Sequence, residues 1–384
     1  MKKLCNVLAA AFAFAFALGG AAQAEDFKIG LVLPLTGPGA DIGRNSAQGF
    51  NAMIPLLNAR GGIAGMKAVP VVCDSQSQEQ QGIICDRRLL SDDKVNLLLG
   101  NGSTPQTFAA LPVIEQVGTP FFAIAAGTLN YRPVRKWVFK ALNSNEDQTA
   151  VQIEYLQKKG WLKVALIRDN GPFGSDISNL YKEMVKGTKL QIVADESYNP
   201  TDQDMTAQVT RVRSLKPDVI INVAATAPPG ALIAKKVVQL GMTTPIIVGV
   251  NLQTEGFVTL AGDAADQIIY TSLKVVMTGL PQSDPLYKNI TDFTESFHKV
   301  NPGVDVNGLS PVTGDGMLIV QAVAKNMGAK ALDHAALRDA IEGAKGVPGL
   351  QGIWTFSPTS HEVSLKDGTA LLKFAGKGKW VAAQ

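Results

Sequence analysis

Two short loops carry residues that could bind a charged small molecule. Residues 100–104 read Gly-Asn-Gly-Ser-Thr between an apolar segment and a helical pattern. Hydroxyl groups and free backbone N–H groups would therefore meet at the start of a helix, which suits a carboxylate or a phosphate. An alternative interpretation is that Ser103 or Thr104 only caps the helix.

The second loop, Ala125-Ala126-Gly127-Thr128, has small side chains that leave the backbone open to a ligand. Tight packing against a neighbouring element would select the same small residues. Both loops follow apolar segments, so whether they can bind a ligand depends on the secondary structure of those segments.

Strand and helix patterns alternate along the chain, which predicts parallel sheets covered by helices, an α/β fold. One series of elements precedes a break near 141–145 and a second series follows it, which predicts two doubly wound lobes. Ligands of such sheets bind beyond the carboxyl ends of the strands. The predicted strands are 27–33, 69–73, 96–99, 120–124, 163–167, 190–194, 219–223, 245–248 and 268–272, and the predicted helices are 45–58, 80–91, 105–116, 175–186, 205–215 and 230–240.

The first 24 residues have the pattern of an export signal. Lys2 and Lys3 precede an apolar run, and Ala22 and Ala24 fit a cleavage site before Glu25. We therefore expect an exported protein. The formal net charge of the chain is +3, with acids and bases spread along it, so no nucleic-acid partner is indicated.

Cys73 and Cys85 are the two cysteines beyond the export signal. An even pair in an exported chain predicts one disulfide. The alternative is two buried free thiols. The three histidines are scattered and none neighbours a cysteine, so no metal site is indicated.

A dehydrogenase is the rival class. The glycine-rich turn 37–43 follows a strand and opens a helix, and Asp74 ends the next strand where a ribose partner would lie. However, the third glycine is one residue late and Pro38 stiffens the turn. No Gly-x-Ser-x-Gly motif and no phosphate-binding lysine loop is present in the sequence. We therefore predict neither an enzyme nor a cofactor, and interpret Asp74 as a turn residue.

Several segments stand in a characteristic order along the chain. They include Pro34-Leu35-Thr36-Gly37, Asn58-Ala59-Arg60-Gly61-Gly62-Ile63-Ala64-Gly65, the loop 100–107, Phe173-Gly174 and Pro217-Asp218. As a set they resemble the periplasmic leucine/isoleucine/valine-type substrate-binding proteins of ABC transporters, over about residues 26–384. The resemblance implies a type I fold, in which two lobes joined by three crossing strands close on a small solute that a membrane permease then receives. It also implies a monomer that acts in the periplasm.

By this resemblance, the crossings lie near 141–145, 272–275 and 349–352. Residues 25–142 and 274–350 then form the first lobe, and residues 143–273 and 351–384 form the second. A sensor that docks on a membrane receptor has the same fold and is the alternative to transport.

In that family the first lobe holds the carboxylate of an amino acid. The matching positions are Ser103 or Thr104 on one loop and Ala125, Ala126 and Thr128 on the next, with Gly127 as the alternative to Thr128.

The second lobe in that family holds the ligand ammonium with an acid and a tyrosine. Asn251 stands at the position of the acid and Thr226 near that of the tyrosine. A buried ammonium without an acid would cost several kcal/mol. Glu255, four residues after Asn251, is the candidate substitute.

Two aromatic positions of the family also differ. Phe173 replaces a tyrosine and Ile42 replaces an aromatic residue, which makes the predicted cleft more apolar. Such a cleft would suit a branched-chain amino acid or an aromatic or aliphatic carboxylic acid. Alternatively, Phe173 belongs to the core of its lobe.

Overall fold

The computed structural model describes residues 25–140, 142–277, 280–376 and 379–383. The predicted export signal and its cleavage site before Glu25 fall on residues 1–24, outside the described residues. Among the residues described, no helix is both long and apolar enough to cross a bilayer.

The strands are mostly short, apolar and buried, as expected where helices cover both faces of a sheet. In chain order they are β1 (Phe27–Leu33), β2 (Ala68–Asp74), β3 (Leu97–Gly100), β4 (Phe121–Ala123), β5 (Val138–Lys140), β6 (Lys163–Asp169), β7 (Gln191–Tyr198), β8 (Val219–Val223), β9 (Ile246–Val248), β10 (Ile268–Leu273), β11 (Val347–Pro348), β12 (Ile353–Trp354), β13 (Thr369–Phe374) and β14 (Trp380–Ala382).

Among the described residues, the first eight helices each follow the carboxyl end of a strand, and the last three lie between β10 and β11. In chain order they are α1 (Ala40–Ala59), α2 (Glu79–Arg87), α3 (Thr104–Val117), α4 (Asn145–Lys159), α5 (Pro172–Met184), α6 (Thr206–Ser214), α7 (Ala227–Gln239), α8 (Glu255–Ala261), α9 (Tyr287–Val300), α10 (Gly314–Ala324) and α11 (His334–Glu342).

Two sheets organise the chain. The first has the order β2-β1-β3-β4-β5 and is parallel throughout. The second has the order β14-β13-β10-β9-β8-β6-β7, in which β13 and β14 are antiparallel additions to a parallel sheet. The predicted α/β class with two doubly wound units is therefore confirmed, and every strand predicted from the sequence is present.

The chain passes between the two units three times. After β5 it enters α4, whose Ile153 and Leu156 pack under the second sheet. After β10 it returns, since Val275 packs in the core of the first sheet.

The third passage lies later than predicted. Residues 349–352 form the turn of the β11–β12 hairpin, closed by a 2.8 Å hydrogen bond from the Gly349 N–H to the Gly352 carbonyl. Trp354, Phe356 and Leu365 still pack in the first core, and β13 then pairs with β10. The large apolar side chains after the hairpin keep this segment on the first unit.

The Asp74 carboxylate fixes the loop that follows β1. It accepts hydrogen bonds from the Leu35 N–H (2.8 Å), the Thr36 hydroxyl (2.7 Å) and the Gln76 N–H (2.8 Å). Burial acts to raise the pKa of Asp74, but these hydrogen bonds outweigh it and lower the pKa below its ordinary value. The interpretation of Asp74 as a turn residue is confirmed.

The predicted disulfide joins Cys73, near the end of β2, to Cys85 in α2, with the Cα atoms 5.7 Å apart. Asp86, the next residue, is fully buried. Burial raises the pKa of Asp86 to about 7. The folded state therefore favours the protonated carboxyl.

We expect Asp86→Asn to stabilise the protein increasingly as pH rises. Because the pKa of Asp86 is higher in the folded than in the unfolded state, its stabilising contribution is present at low pH and is lost as pH rises through about 7. The neutral amide removes this loss. The stability difference between variant and wild type should grow by roughly 2–4 kcal/mol from about pH 4 to about pH 8.

Urea unfolding at several pH values would measure this difference. Asp92→Asn, at an exposed position nearby, is the matched control and should show little change. A difference for Asp86→Asn that does not vary with pH would contradict the raised pKa.

Candidate ligand-binding site

A cavity of ≈ 480 Å³ lies between the carboxyl ends of the two sheets. The loops after β1, β2, β3, β4 and β5, together with Leu309 and Val312, form one wall, and the loops after β6, β7, β8 and β9 form the other. Of the residues predicted to bind ligand, all but Thr128 line this cavity. They are Ile42, Ser103, Thr104, Ala125, Ala126, Phe173, Thr226 and Asn251.

The two hydroxyl residues before α3 have different surroundings. Ser103 is the N-cap, and its Oγ accepts a hydrogen bond from the Gln106 N–H at 3.4 Å. Thr104 is 4% exposed, and its Oγ1 has no hydrogen-bond partner among the described residues. The capping interpretation therefore applies to Ser103 and leaves the Thr104 hydroxyl available to a ligand.

Glycine lets this loop come close to its neighbours. Gly102 has a φ of +73°, and a Cβ there would lie 2.7 Å from the Pro34 ring. Gly127 faces Thr104, and a Cβ on it would lie 2.5 Å from the Thr104 methyl group. Both predicted loops are therefore packed closely together around the Thr104 side chain.

The carbonyl groups of the second loop are occupied. The Tyr131 hydroxyl donates to the Ala125 carbonyl, and the Asn145 N–H donates to the Ala126 carbonyl at 3.1 Å. The backbone N–H groups of Ala125 and Ala126 have no partner within the described part of the chain. This loop can therefore donate hydrogen bonds to an anion.

Thr128 lies beyond the cavity lining. The chain turns after Gly127 into a short 3-10 helix, Thr128–Asn130, and the Thr128 N–H donates to Asp176 Oδ2 at 3.3 Å. That carboxylate also accepts from Asn145 Nδ2 at 2.8 Å. Thr128 thus contributes a contact between the two walls.

On the second wall, Phe173 fits both of its interpretations. It lines the cavity and also packs against the core of the second sheet. Thr226 is the N-cap of α7, and its side chain makes no capping hydrogen bond.

Asn251 positions a loop. Its Nδ2 donates to the carbonyls of Ala224 (2.9 Å) and Ala225 (3.2 Å), which follow β8. Glu255, the candidate substitute acid, is exposed and does not line the cavity. Neither residue therefore presents a carboxylate to a ligand.

Four further residues line the cavity with buried polar atoms that have no partner in the described ranges, and the sequence interpretation did not identify them. They are Asn143 (Nδ2), Asn145 (Oδ1), Asp169 (Oδ2) and Tyr198 (hydroxyl). Each lies at or just after the carboxyl end of β5, β6 or β7. Their position at strand ends was the feature that could have identified these four residues.

The charge of the site comes mostly from the backbone. No lysine, arginine or histidine of the described ranges lines the cavity, and its acids are Glu79, which is exposed, and Asp169. The amino-terminal ends of α1, α2, α3, α4, α5 and α7 all contribute lining residues. Helix amino termini carry partial positive charge and free N–H groups, so the cavity can accommodate an anion without a cationic side chain.

Residues 26–372 match the family described as periplasmic binding protein. The chain belongs to this family, and the type I fold and the periplasmic ligand-binding role predicted from the sequence are confirmed. It is a family of solute-binding proteins, which implies a periplasmic or extracellular location.

Individual relatives are distant. The Leu/Ile/Val-binding protein BraC3 of Rhizobium johnstonii is 27% identical over 389 residues, covering 100% of both chains. The structure of a branched-chain amino acid transporter substrate-binding protein from Streptococcus pneumoniae, in complex with isoleucine, superposes with a TM-score of 0.80 at 22% identity, covering 93% of this chain and 98% of that one. A solute-binding protein of an ABC transporter from Rhodopseudomonas palustris, in complex with benzoate, has a TM-score of 0.76 at 20% identity, covering 93% and 95%.

We expect Asn251→Asp to destabilise the protein at neutral pH, although an acid stands at this position in the family that the sequence resembles. The new carboxylate would face the carbonyls of Ala224 and Ala225, which now accept from the amide. The expected loss in the free energy of unfolding is about 1–3 kcal/mol, measured by urea unfolding. The exposed neighbour Glu255→Gln is the control. Unchanged stability of Asn251→Asp would show that the amide does not hold this loop.

Proposed function

We propose that the protein clamps a small carboxylate ligand between its two walls and delivers it to a membrane permease. One observation carries this proposal. The Thr104 hydroxyl is buried in the cavity wall without a partner, at the start of α3 and opposite a loop with free backbone N–H groups. Hydroxyl and backbone donors that converge at a helix start are the groups that hold a carboxylate.

Apolar side chains complete the site and limit the ligand class. Ile42, Ile124, Leu142, Phe173 and Val312 line the cavity. A carboxylate with an apolar body fits these walls. Isoleucine and benzoate, the ligands bound in the two structural neighbours, share that chemistry. The proposed ligand is a branched-chain or related hydrophobic amino acid, or an aromatic or aliphatic carboxylic acid.

The proposed lobes follow the two sheets. The resemblance gives residues 25–142 and 274–350 for the first lobe and residues 143–273 and 351–384 for the second. The packing of Trp354 and Phe356 in the first core moves the proposed third crossing to the segment between Leu365 and Thr369. With the third crossing corrected, the proposed first lobe is 25–142 with 274–365, and the proposed second lobe is 143–273 with 369–384. Two contacts across the cavity, Thr128 to Asp176 and Thr254 to Asp41, are consistent with a closed clamp.

We further propose that the protein is not an enzyme, that its export signal is cleaved before Glu25, and that it acts in the periplasm as a monomer. The family supports a binding role, and the cavity wall offers hydrogen-bond donors without a histidine or lysine among the described residues.

The first test is a thermal-shift screen of the mature chain, freed of bound solutes by unfolding and refolding. Amino acids, aromatic carboxylates and short aliphatic acids form the panel. A ligand that binds only the folded state raises the melting temperature. If no carboxylate in the panel raises it, the proposal fails.

We expect Thr104→Ala to weaken binding of the identified carboxylate by roughly 1.5–3 kcal/mol, because a charge-assisted hydrogen bond is lost. Titration calorimetry would measure the change. Thr104→Ser keeps a hydroxyl at the same position and is the matched control, with much of the affinity retained. Equal affinities of wild type and Thr104→Ala would remove this hydroxyl from the site.

We expect Asp41→Asn to speed ligand release. Asp41, in α1, accepts a 2.5 Å hydrogen bond from the Thr254 hydroxyl, which precedes α8 on the other side of the cavity. If this contact forms on closure, its loss destabilises the closed state and raises the dissociation rate about fivefold, with little change in the association rate. Stopped-flow fluorescence would measure both rates. The exposed Asp263→Asn serves as control, and an unchanged dissociation rate would exclude the contact from closure.

A further inference from the structure

The proposed binding of a carboxylate near Thr104 does not explain two buried polar groups on the opposite wall. Asp169 ends β6 and Tyr198 ends β7, and the two residues pair directly across these parallel strands. Both line the cavity, and they are only 3% and 2% exposed. Paired residues of adjacent strands project to the same face of a sheet, so their side chains are neighbours.

The Asp169 carboxylate is held in one orientation. Its Oδ1 accepts from the Gly171 N–H at 2.8 Å and from the Gly174 N–H at 3.4 Å. Gly174 can lie this close because it has no Cβ. A Cβ at this position would overlap the Asp169 carbonyl. The other oxygen, Oδ2, is buried and has no partner among the described residues.

The neighbouring cationic side chain, Arg168, does not donate a hydrogen bond to Oδ2. The Arg168 guanidinium is paired with Asp195 on β7, at 2.7 Å. Burial raises the pKa of Asp169, since the two glycine N–H groups and the nearby Arg168 charge compensate only part of the desolvation. A hydrogen bond to Oδ2 would therefore relieve an unfavourable burial.

The Tyr198 hydroxyl also lacks a hydrogen-bond partner among the described residues. It is buried, while the backbone carbonyl of Tyr198 accepts from the Asn170 N–H at 3.0 Å. Burial, followed by the nearby Asp169 carboxylate, raises the pKa of Tyr198, so the phenol keeps its proton. It can accept one hydrogen bond and donate another.

A carboxylate oxygen can only accept, so the group that satisfies Oδ2 must be a hydrogen-bond donor. Building on the proposed function, we propose that Asp169 and Tyr198 form a second polar subsite, which binds a hydroxyl or amine group that the ligand carries at the end opposite its carboxylate. The ligand would then span the cavity, with its carboxylate near Thr104 and its donor group between Asp169 and Tyr198.

The test is calorimetry with matched acids that differ only in the distal group. Phenylacetate is compared with para-hydroxyphenylacetate, and hexanoate with its ω-hydroxy and ω-amino derivatives. We expect the hydroxyl or the amino compound to bind wild type roughly tenfold more tightly than its unsubstituted partner, the gain expected for one well-formed buried hydrogen bond. The two derivatives of hexanoate distinguish a hydroxyl from an amine ligand.

Two variants assign the preference to the subsite. Tyr198→Phe removes only the hydroxyl, whereas Asp169→Asn keeps an acceptor for Gly171 and Gly174 and replaces the free oxygen by a donor. Each should reduce the preference about fivefold or more, while the affinity for the unsubstituted acid stays within about twofold. Tyr287→Phe, outside the cavity, is the control, and melting temperatures verify folding.

The outcomes separate this inference from the proposed function. If the unsubstituted acids bind as tightly as their hydroxyl and amino derivatives, or if both variants keep the wild-type preference, the subsite is refuted and the carboxylate clamp stands. If the variants weaken both members of a pair equally, Asp169 and Tyr198 are structural, which also refutes the subsite. If no acid of either kind binds, the proposed function fails and the subsite with it.

Discussion

The architecture of the site depends on one constraint of parallel sheets: every strand ends at the same edge as its neighbours, and the helix that follows begins there. The first N–H groups of a helix have no partner within it. Among the described residues, six helices begin beside the cavity: α1, α2, α3, α4, α5 and α7. The ability to hold an anion is therefore a property of the topology. It does not require a lysine or an arginine, whose long side chains would occupy part of the space available to a small ligand.

The two walls differ in chemistry, which would orient a ligand. The wall around Thr104 offers donors, through the hydroxyl and the backbone N–H groups of Ala125 and Ala126. The opposite wall offers the acceptor oxygen of Asp169. A carboxylate placed against Asp169 would meet a like charge in a buried site and be rejected. Only one orientation of an elongated acid is then compatible with both walls.

Much of the fold could be predicted from the sequence because its strands are apolar runs bounded by glycine and proline. Helix α4 was missed, since its buried positions include the polar Thr149 and Gln152 and give little apolar periodicity. The third crossing was misplaced because only tertiary packing shows that Trp354 stays in the first core. In the site, loop composition identified Thr104. The pairing of Asp169 with Tyr198 depends on β6–β7 register, which the sequence does not show.

The same unpartnered groups explain why closure would depend on ligand. Thr104, Asn143, Asp169 and Tyr198 each bury a polar atom that no described residue satisfies. Each such atom costs about 1–3 kcal/mol when it is removed from water without a partner. An empty clamp that shuts tightly enough to exclude water would incur this cost at both walls, whereas the open form leaves these atoms hydrated. A ligand with a carboxylate and a distal donor supplies the missing partners only in the closed form. Differential contact of this kind is what a ligand needs to shift a conformational equilibrium.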